Sequence, residues 1–162
     1  MIDQASVWED LSRRLQAEPM IMGERNTPEN LQNLYLQNRA IAQFDGQKGI
    51  IAFVALWPTR VAAIHEFGSI WVDSERRGHK LGSWLMDKVI ALAQPADVIF
   101  LITKNPAVIH LVEKHGWMEA GVSDWDRIIP LRLSCGPCDF QQESKPCAKQ
   151  AKRGECSLFI RR

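Results

Sequence analysis

The sequence predicts an α/β fold, a mixed sheet with helices packed on it, from three observations. Element type alternates after residue 72 as helix, strand, helix, strand. The stretch from Ala40 to Asp73 reads as three apolar strands in a meander. Apolar runs such as "VIFLI" at 98–102 fall far short of the roughly 20 residues of a membrane span. At 162 residues and 46% apolar composition, one main domain with a real core is expected.

In "SVWEDLSRRLQ" Val7, Leu11 and Leu15 fall at i, i+4 and i+8, the stripe of an amphipathic helix. "TPENLQNLYLQN" opens a second helix with Thr27 as cap and Pro28 at the first helical position. "AIAQFDGQKGIIAFVALW" gives two strands about a glycine-containing turn, and "VAAIHEFGSIWVD" a third. Leu81, Leu85, Val89 and Leu92 share a third helical face, followed by the continuous apolar strand "DVIFLIT". A fourth helix runs from the Asn105 cap and Pro106 to a Gly116 stop, and two short strands are expected after it.

Charge and cysteine mark one boundary. Residues 1–133 carry 14 Lys and Arg against 16 Asp and Glu, whereas residues 134–162 carry 6 against 3 and hold all four cysteines. The expected organisation is therefore a main domain over 1–133 and a basic tail over 134–162. With only Phe140, Leu158, Phe159 and Ile160 as large apolar residues, that tail buries too little to fold alone. The net charge of +1 and the acidic, amphipathic N-terminus, which lacks a basic segment, apolar segment and cleavage site, give the expectation of a cytoplasmic protein with no membrane partner.

"SERRGHKLGSWLM", residues 74–86, sets a glycine-bearing turn between a strand and a helix. Helix N-termini present backbone N–H groups and a favourable dipole to anions, so a phosphate or pyrophosphate is the expected ligand. Neither GxxxxGK[ST] nor GxGxxG is present, which argues against a nucleoside triphosphatase and a dinucleotide-binding fold.

Two spaced motifs then resemble the GNAT superfamily of acyl-CoA-dependent N-acyltransferases. "VDSERRGHKLG" matches V-x-x-x-x-[RQ]-x-x-G-x-[GA] at Val72, Arg77 and Gly82, with Lys80 in place of the first motif glycine. "NPAVIHLVEKHGW" matches N-x-x-A-x-x-L-Y-E-K-x-G-F at Asn105, Leu111, Glu113, Lys114 and Gly116, with Val108 for Ala, Val112 for Tyr and Trp117 for Phe. The element order fits from about residue 5 to 133. The resemblance implies a mostly antiparallel sheet with a splayed central strand pair and acetyl-CoA, or another acyl-CoA, as cosubstrate. The anion would be the CoA pyrophosphate, held by the N–H groups of Gly78, His79, Lys80, Leu81 and Gly82 with Arg77 and Ser83 assisting. Pantetheine would lie along Ile70, Trp71 and Val72, near Asn105. The oxyanion would meet a backbone N–H of Trp71 or Val72.

For amide formation the resemblance suggests Glu66 as general base, six residues before Val72. A strict alternation puts Glu66 on one face with Ile64, Gly68, Ile70 and Val72, an apolar setting that would raise its affinity for a proton. His65, on the opposite face, is the second candidate. The family's tyrosine acid is replaced by Val112, and the chain's one tyrosine, Tyr35, lies on the second helix.

A primary amine, on a small molecule, peptide or protein, is the expected acceptor, lined by Met20, Met22, Glu24, Trp57, Asp124, Trp125 and Asp126; acidic and aromatic residues suit a cation. A non-catalytic acyl-CoA sensor, and a modifier whose basic tail docks a macromolecule such as nucleic acid, are the alternatives. In the tail, Cys135, Cys138, Cys147 and Cys156 read C-x₂-C-x₈-C-x₈-C, a set that could close a tetrahedral zinc site; free thiols or a disulfide compete with it.

Overall fold

A computed structural model describes residues 4–21, 25–46, 49–133 and 156–161. Its helices are α1 (Gln4–Ala17), α2 (Pro28–Leu36), α3 (Leu81–Ile90), α4 (Pro106–Lys114) and α5 (Val122–Ile128). Its strands are β1 (Ala40–Asp45), β2 (Gly49–Pro58), β3 (Ile64–Val72), β4 (Val98–Thr103), β5 (Met118–Glu119) and β6 (Ser157–Arg161). They form one six-stranded sheet in the order β1-β2-β3-β4-β6-β5. The mixed, mostly antiparallel α/β fold expected from the sequence is the one observed.

Local chemistry explains the helix ends. Thr27 accepts a hydrogen bond from the Asn30 N–H at 3.2 Å, and Asn105 Oδ1 accepts from the Ala107 N–H at 3.0 Å, with a proline opening each helix. Gly116, at φ +75°, ends α4: its N–H donates to Glu113 O, and the Trp117 N–H donates to Val112 O. Asn38, at φ +54°, closes α2 with the same pair of bonds, to Tyr35 O and from Arg39 to Leu34 O.

The chain falls into two units. The first, Met1–Trp57 with Phe67–Gln94, has a core of Trp8, Leu11 and Leu15 from α1, Leu31 and Leu34 from α2, and Ile50, Phe53, Trp57 and Trp71 from the strands. Here β1 pairs antiparallel with β2, and a bulge at Ile51 leaves its carbonyl to accept from the Asp73 N–H at 2.8 Å. The second unit, Pro58–Glu66 with Pro95–Arg162, packs Phe100, Trp125, Ile128, Ile129, Leu158 and Ile160 together. In it Ile64, His65 and Glu66 of β3 pair in parallel with Val98, Ile99 and Phe100 of β4.

Two expectations are corrected. The segment after β5 is not a second short strand: Trp125, Ile128 and Ile129 repeat at i, i+3 and i+4, and the helix they imply, with the 3-10 turn that follows it, buries all three. Nor do residues 157–161 belong to an appended tail. They form β6, paired along its length with β4 and at Phe159 and Ile160 with β5, so the main sheet supplies the partner that the tail's composition could not. Cys135, Cys138 and Cys147 lie outside the described residues. Cys156 is a free, half-buried thiol packed beside the Phe100–Leu158 cluster. Among the described residues no three His, Cys, Asp or Glu side chains gather as a metal site, and no helix is long and apolar enough to cross a membrane.

Candidate active site

The phosphate-loop candidate lies wholly in the first unit. Asp73 ends β3 and caps the short 3-10 turn Ser74–Arg76, accepting from the Glu75 N–H at 3.0 Å. Arg14 of α1 donates to Asp73 Oδ2 at 2.7 Å and lays its guanidinium 5.6 Å from the Trp71 ring centre. The chain then turns through two left-handed residues, Gly78 at φ +84° and Lys80 at φ +60°, before α3 begins at Leu81. The first helical bond runs from the Trp84 N–H to Lys80 O at 3.0 Å. The N–H groups of Leu81, Gly82 and Ser83 therefore start the helix without an intrahelical acceptor, next to left-handed turns of the kind that form anion-binding concavities. Lys80, the departure from the motif, thus takes the conformation that glycine would adopt more cheaply.

The arginines of this segment are engaged elsewhere. Arg76 Nη2 donates to Asp45 Oδ2 at 3.0 Å; Arg77 Nε donates to Val72 O at 3.1 Å and its Nη2 to Glu18 Oε1 at 2.7 Å. Ile70 and Val72 are half-buried and Trp71 is buried in the first core. Elsewhere in this unit a groove of about 500 Å³ is lined by Tyr35, Trp84 and Lys88 among others. Tyr35 packs tilted against Trp8 and edge-on against Phe44, at ring distances of 5.4 and 5.9 Å.

Ser69 breaks the expected alternation of β3. It sits at φ +55°, left-handed backbone in a non-glycine strand residue, which costs on the order of 1–3 kcal/mol unless its surroundings hold it. They do: Ser69 Oγ donates to Asn26 Oδ1 at 2.6 Å and accepts from Trp57 Nε1 at 3.1 Å. The face drawn through Glu66, Ile70 and Val72 is therefore not continuous.

The base candidates lie in the second unit. Glu66 is not in the apolar setting expected. Arg132 Nε and Nη2 each donate to one of its carboxylate oxygens at 2.8 Å, and both side chains are almost wholly buried. A bidentate guanidinium favours the ionised carboxylate, the opposite of the effect expected for a poised base. His65 Nε2 lies 2.9 Å from Asp97 Oδ2, and its Nδ1 is buried without a hydrogen bond. Asn105 spends its side chain on the α4 cap, and Val112 is fully buried. Of the expected acceptor residues, Trp57 and Trp125 are core, Met20 is exposed, Asp124 and Asp126 flank Trp125 in α5, and Met22 and Glu24 lie outside the described residues. Sequence reasoning missed Arg132, Asp97 and the Arg25–Asn26 pair. Arg132 was hidden in a segment read as strand, although a lone arginine amid "IIPLRLS" is a signal for a buried partner.

The family model described as "Acetyltransferase (GNAT) family" matches residues 6–117. Among curated proteins, none matches the chain. Of solved structures, a GNAT-family acetyltransferase of Staphylococcus aureus Mu50 is 16% identical with a TM-score of 0.65, over 99% of this chain and 94% of that one. Rv2747 of Mycobacterium tuberculosis, solved in complex with CoA, is 15% identical with a TM-score of 0.62, over 97% and 92%. N-acetylglutamate synthase of Neisseria gonorrhoeae, complexed with CoA and N-acetyl-glutamate, is 14% identical with a TM-score of 0.63, over 96% of this chain and 32% of that longer one.

Proposed function

Because the chain belongs to the GNAT acetyltransferase family, we propose that it moves an acetyl or longer acyl group from acyl-CoA to a primary amine by direct transfer in a ternary complex. The observation that carries this reading is the turn at Gly78 and Lys80, whose left-handed residues lead into the uncommitted N–H groups of the first turn of α3. The CoA pyrophosphate binds there, on the main chain of Gly78, His79, Lys80, Leu81 and Gly82 and the Ser83 hydroxyl. Arg77 joins when it exchanges Glu18 for a phosphate oxygen. The pantetheine arm follows the main chain of Ile70 to Val72.

The neutral amine attacks the thioester carbonyl; the C–N bond forms, the C–S bond breaks, and thiolate leaves with its electron pair. Thiolate needs little acid assistance, in keeping with a buried valine at position 112. Of the two base candidates His65 has the better chemistry. With Asp97 accepting from Nε2–H, the neutral imidazole keeps its lone pair on Nδ1, the atom that has no hydrogen bond. Glu66 serves instead as the anchor of Arg132.

The test has two parts. Calorimetry should show CoA binding that falls more than tenfold in Arg77→Glu, and thiol release from acetyl-CoA should require an added amine. Binding without thiol release on any amine would make the chain a sensor, and absence of CoA binding would overturn the reading.

A further inference from the structure

The left-handed backbone of Ser69 stands directly before Ile70 to Val72, the main chain along which the transfer reading lays the pantetheine arm. Its effect on the strand is visible at Trp57. A Cβ built on Gly68 lies 3.4 Å from Trp57 Nε1, and the Ser69 hydroxyl accepts from that same nitrogen at 3.1 Å. Successive residues of a regular strand point to opposite faces and would not both meet one indole. Trp71, two positions further on, then packs with Trp57 in the first core. From Ser69 onward the alternation is therefore offset by one residue, as at a bulge. Main-chain N–H groups alternate between the two edges of a strand, so those of Ile70 to Val72 are re-aimed with the side chains.

Strain of this kind persists only where the surroundings over-determine it, and it concentrates at sites of reaction. A glycine would take the same φ unaided, whereas a serine has to be held. The hydroxyl uses both of its capacities for this, donating to Asn26 Oδ1 at 2.6 Å while it accepts from the indole. Asn26 is a fixed acceptor. It is fully buried, its carbonyl accepts from Ser12 Oγ at 2.6 Å and Gln16 Nε2 at 3.3 Å, both on α1, and the next residue, Thr27, caps α2. The phosphate turn has separate anchors: the Asp73 N–H donates to Ile51 O at 2.8 Å, and the Asp73 carboxylate accepts from Arg14 at 2.7 Å. Loosening Ser69 therefore disturbs the thioester end of the cosubstrate bed and leaves its phosphate end in place.

We propose that Asn26 is a positioning residue for acyl transfer: its carboxamide oxygen holds Ser69 left-handed, and that one conformation sets which edge of β3 the N–H groups of Ile70 to Val72 face. Asn26 acts through Ser69 rather than by contact with a substrate. The inference rests on the acyl-transfer reading.

Thiol release is measured with acetyl-CoA and the best acceptor from a panel of amino acids, polyamines and peptides, and calorimetry measures the Kd of CoA. Asn26→Ala should lower kcat at least tenfold with the CoA Kd changed less than threefold. Ser69→Ala severs the same bond from its other end and should lower kcat alike. Ser69→Gly loses the same hydroxyl but tolerates the left-handed backbone, so its kcat should exceed that of Ser69→Ala at least fivefold. Added to Asn26→Ala, it should raise kcat by a similar factor, because a glycine needs no latch. A purely structural hydrogen bond predicts the reverse order, since glycine weakens a strand more than alanine does. Thermal unfolding reports which variants are folded, and the two Ser69 variants decide if Asn26→Ala is not. A folded Asn26→Ala with wild-type kcat, or a Ser69→Gly no more active than Ser69→Ala, overturns the inference and leaves acyl transfer standing. A wild type that binds CoA but releases thiol with no amine overturns the transfer reading and this inference with it.

Discussion

Glu66 and Arg132 form a bidentate ion pair, two bonds of 2.8 Å between side chains almost wholly removed from solvent. Removing one member strands a buried charge, whereas removing both does not, and the first is the costlier change by far. Glu66→Gln is expected to lower unfolding stability by about 3–5 kcal/mol. The double variant Glu66→Leu with Arg132→Met should recover most of it. Urea unfolding of the two singles and the double gives the cycle; a Glu66→Gln protein as stable as wild type would contradict the pair's role.

His65→Gln should lower kcat/KM by roughly 10²–10⁴ if Nδ1 takes the amine's proton. CoA affinity should be unchanged. Near-normal turnover in the variant would hand the proton to solvent.

Much of the frame was legible because it is written in local chemistry. Thr27 and Asn105 stand as caps ahead of prolines, Gly116 stops α4, and each was readable from a few neighbouring residues. What escaped depends on distant partners. Ser69 is held left-handed by Asn26, 43 positions away, and Glu66 meets Arg132 at a separation of 66. No strand periodicity encodes either. The α5 segment was different: its i, i+3, i+4 apolar repeat stands in the sequence at Trp125, Ile128 and Ile129, although a strand was expected there.

Arg77 and Glu18 hold each other at 2.7 Å on the exposed side of the loop. Exposed pairs are worth about 0.2–1 kcal/mol, so releasing Arg77 by Glu18→Gln should tighten CoA binding by no more than a few-fold. The gain should shrink in high salt, where such charges are screened. Calorimetry at two ionic strengths measures it, and weaker binding in Glu18→Gln would show that the pair shapes the loop rather than competes for it.

Lys80 and Gly78 should respond oppositely to exchange. Lys80→Gly relieves a left-handed side-chain residue and is expected to stabilise by about 1 kcal/mol, seen as a higher Tm. Gly78→Ala should destabilise by a similar amount through backbone strain, since no atom lies within 4 Å of the added Cβ. A loss of CoA affinity in Lys80→Gly that disappears at high salt would place the ammonium on a phosphate.

The position of β6 also governs how quickly the second unit can assemble. β4 ends at Thr103 and β5 begins at Met118, yet the two are not neighbours, because a strand from residues 157–161 lies between them. Its rungs join Thr103 to Ser157 and Ile99 to Arg161. Each spans more than fifty positions, so loop-closure entropy is lost before any hydrogen bond of that ladder forms. Until then β4 presents an open edge to other chains, and this half of the sheet is the slower to complete and the more exposed to mispairing while it waits.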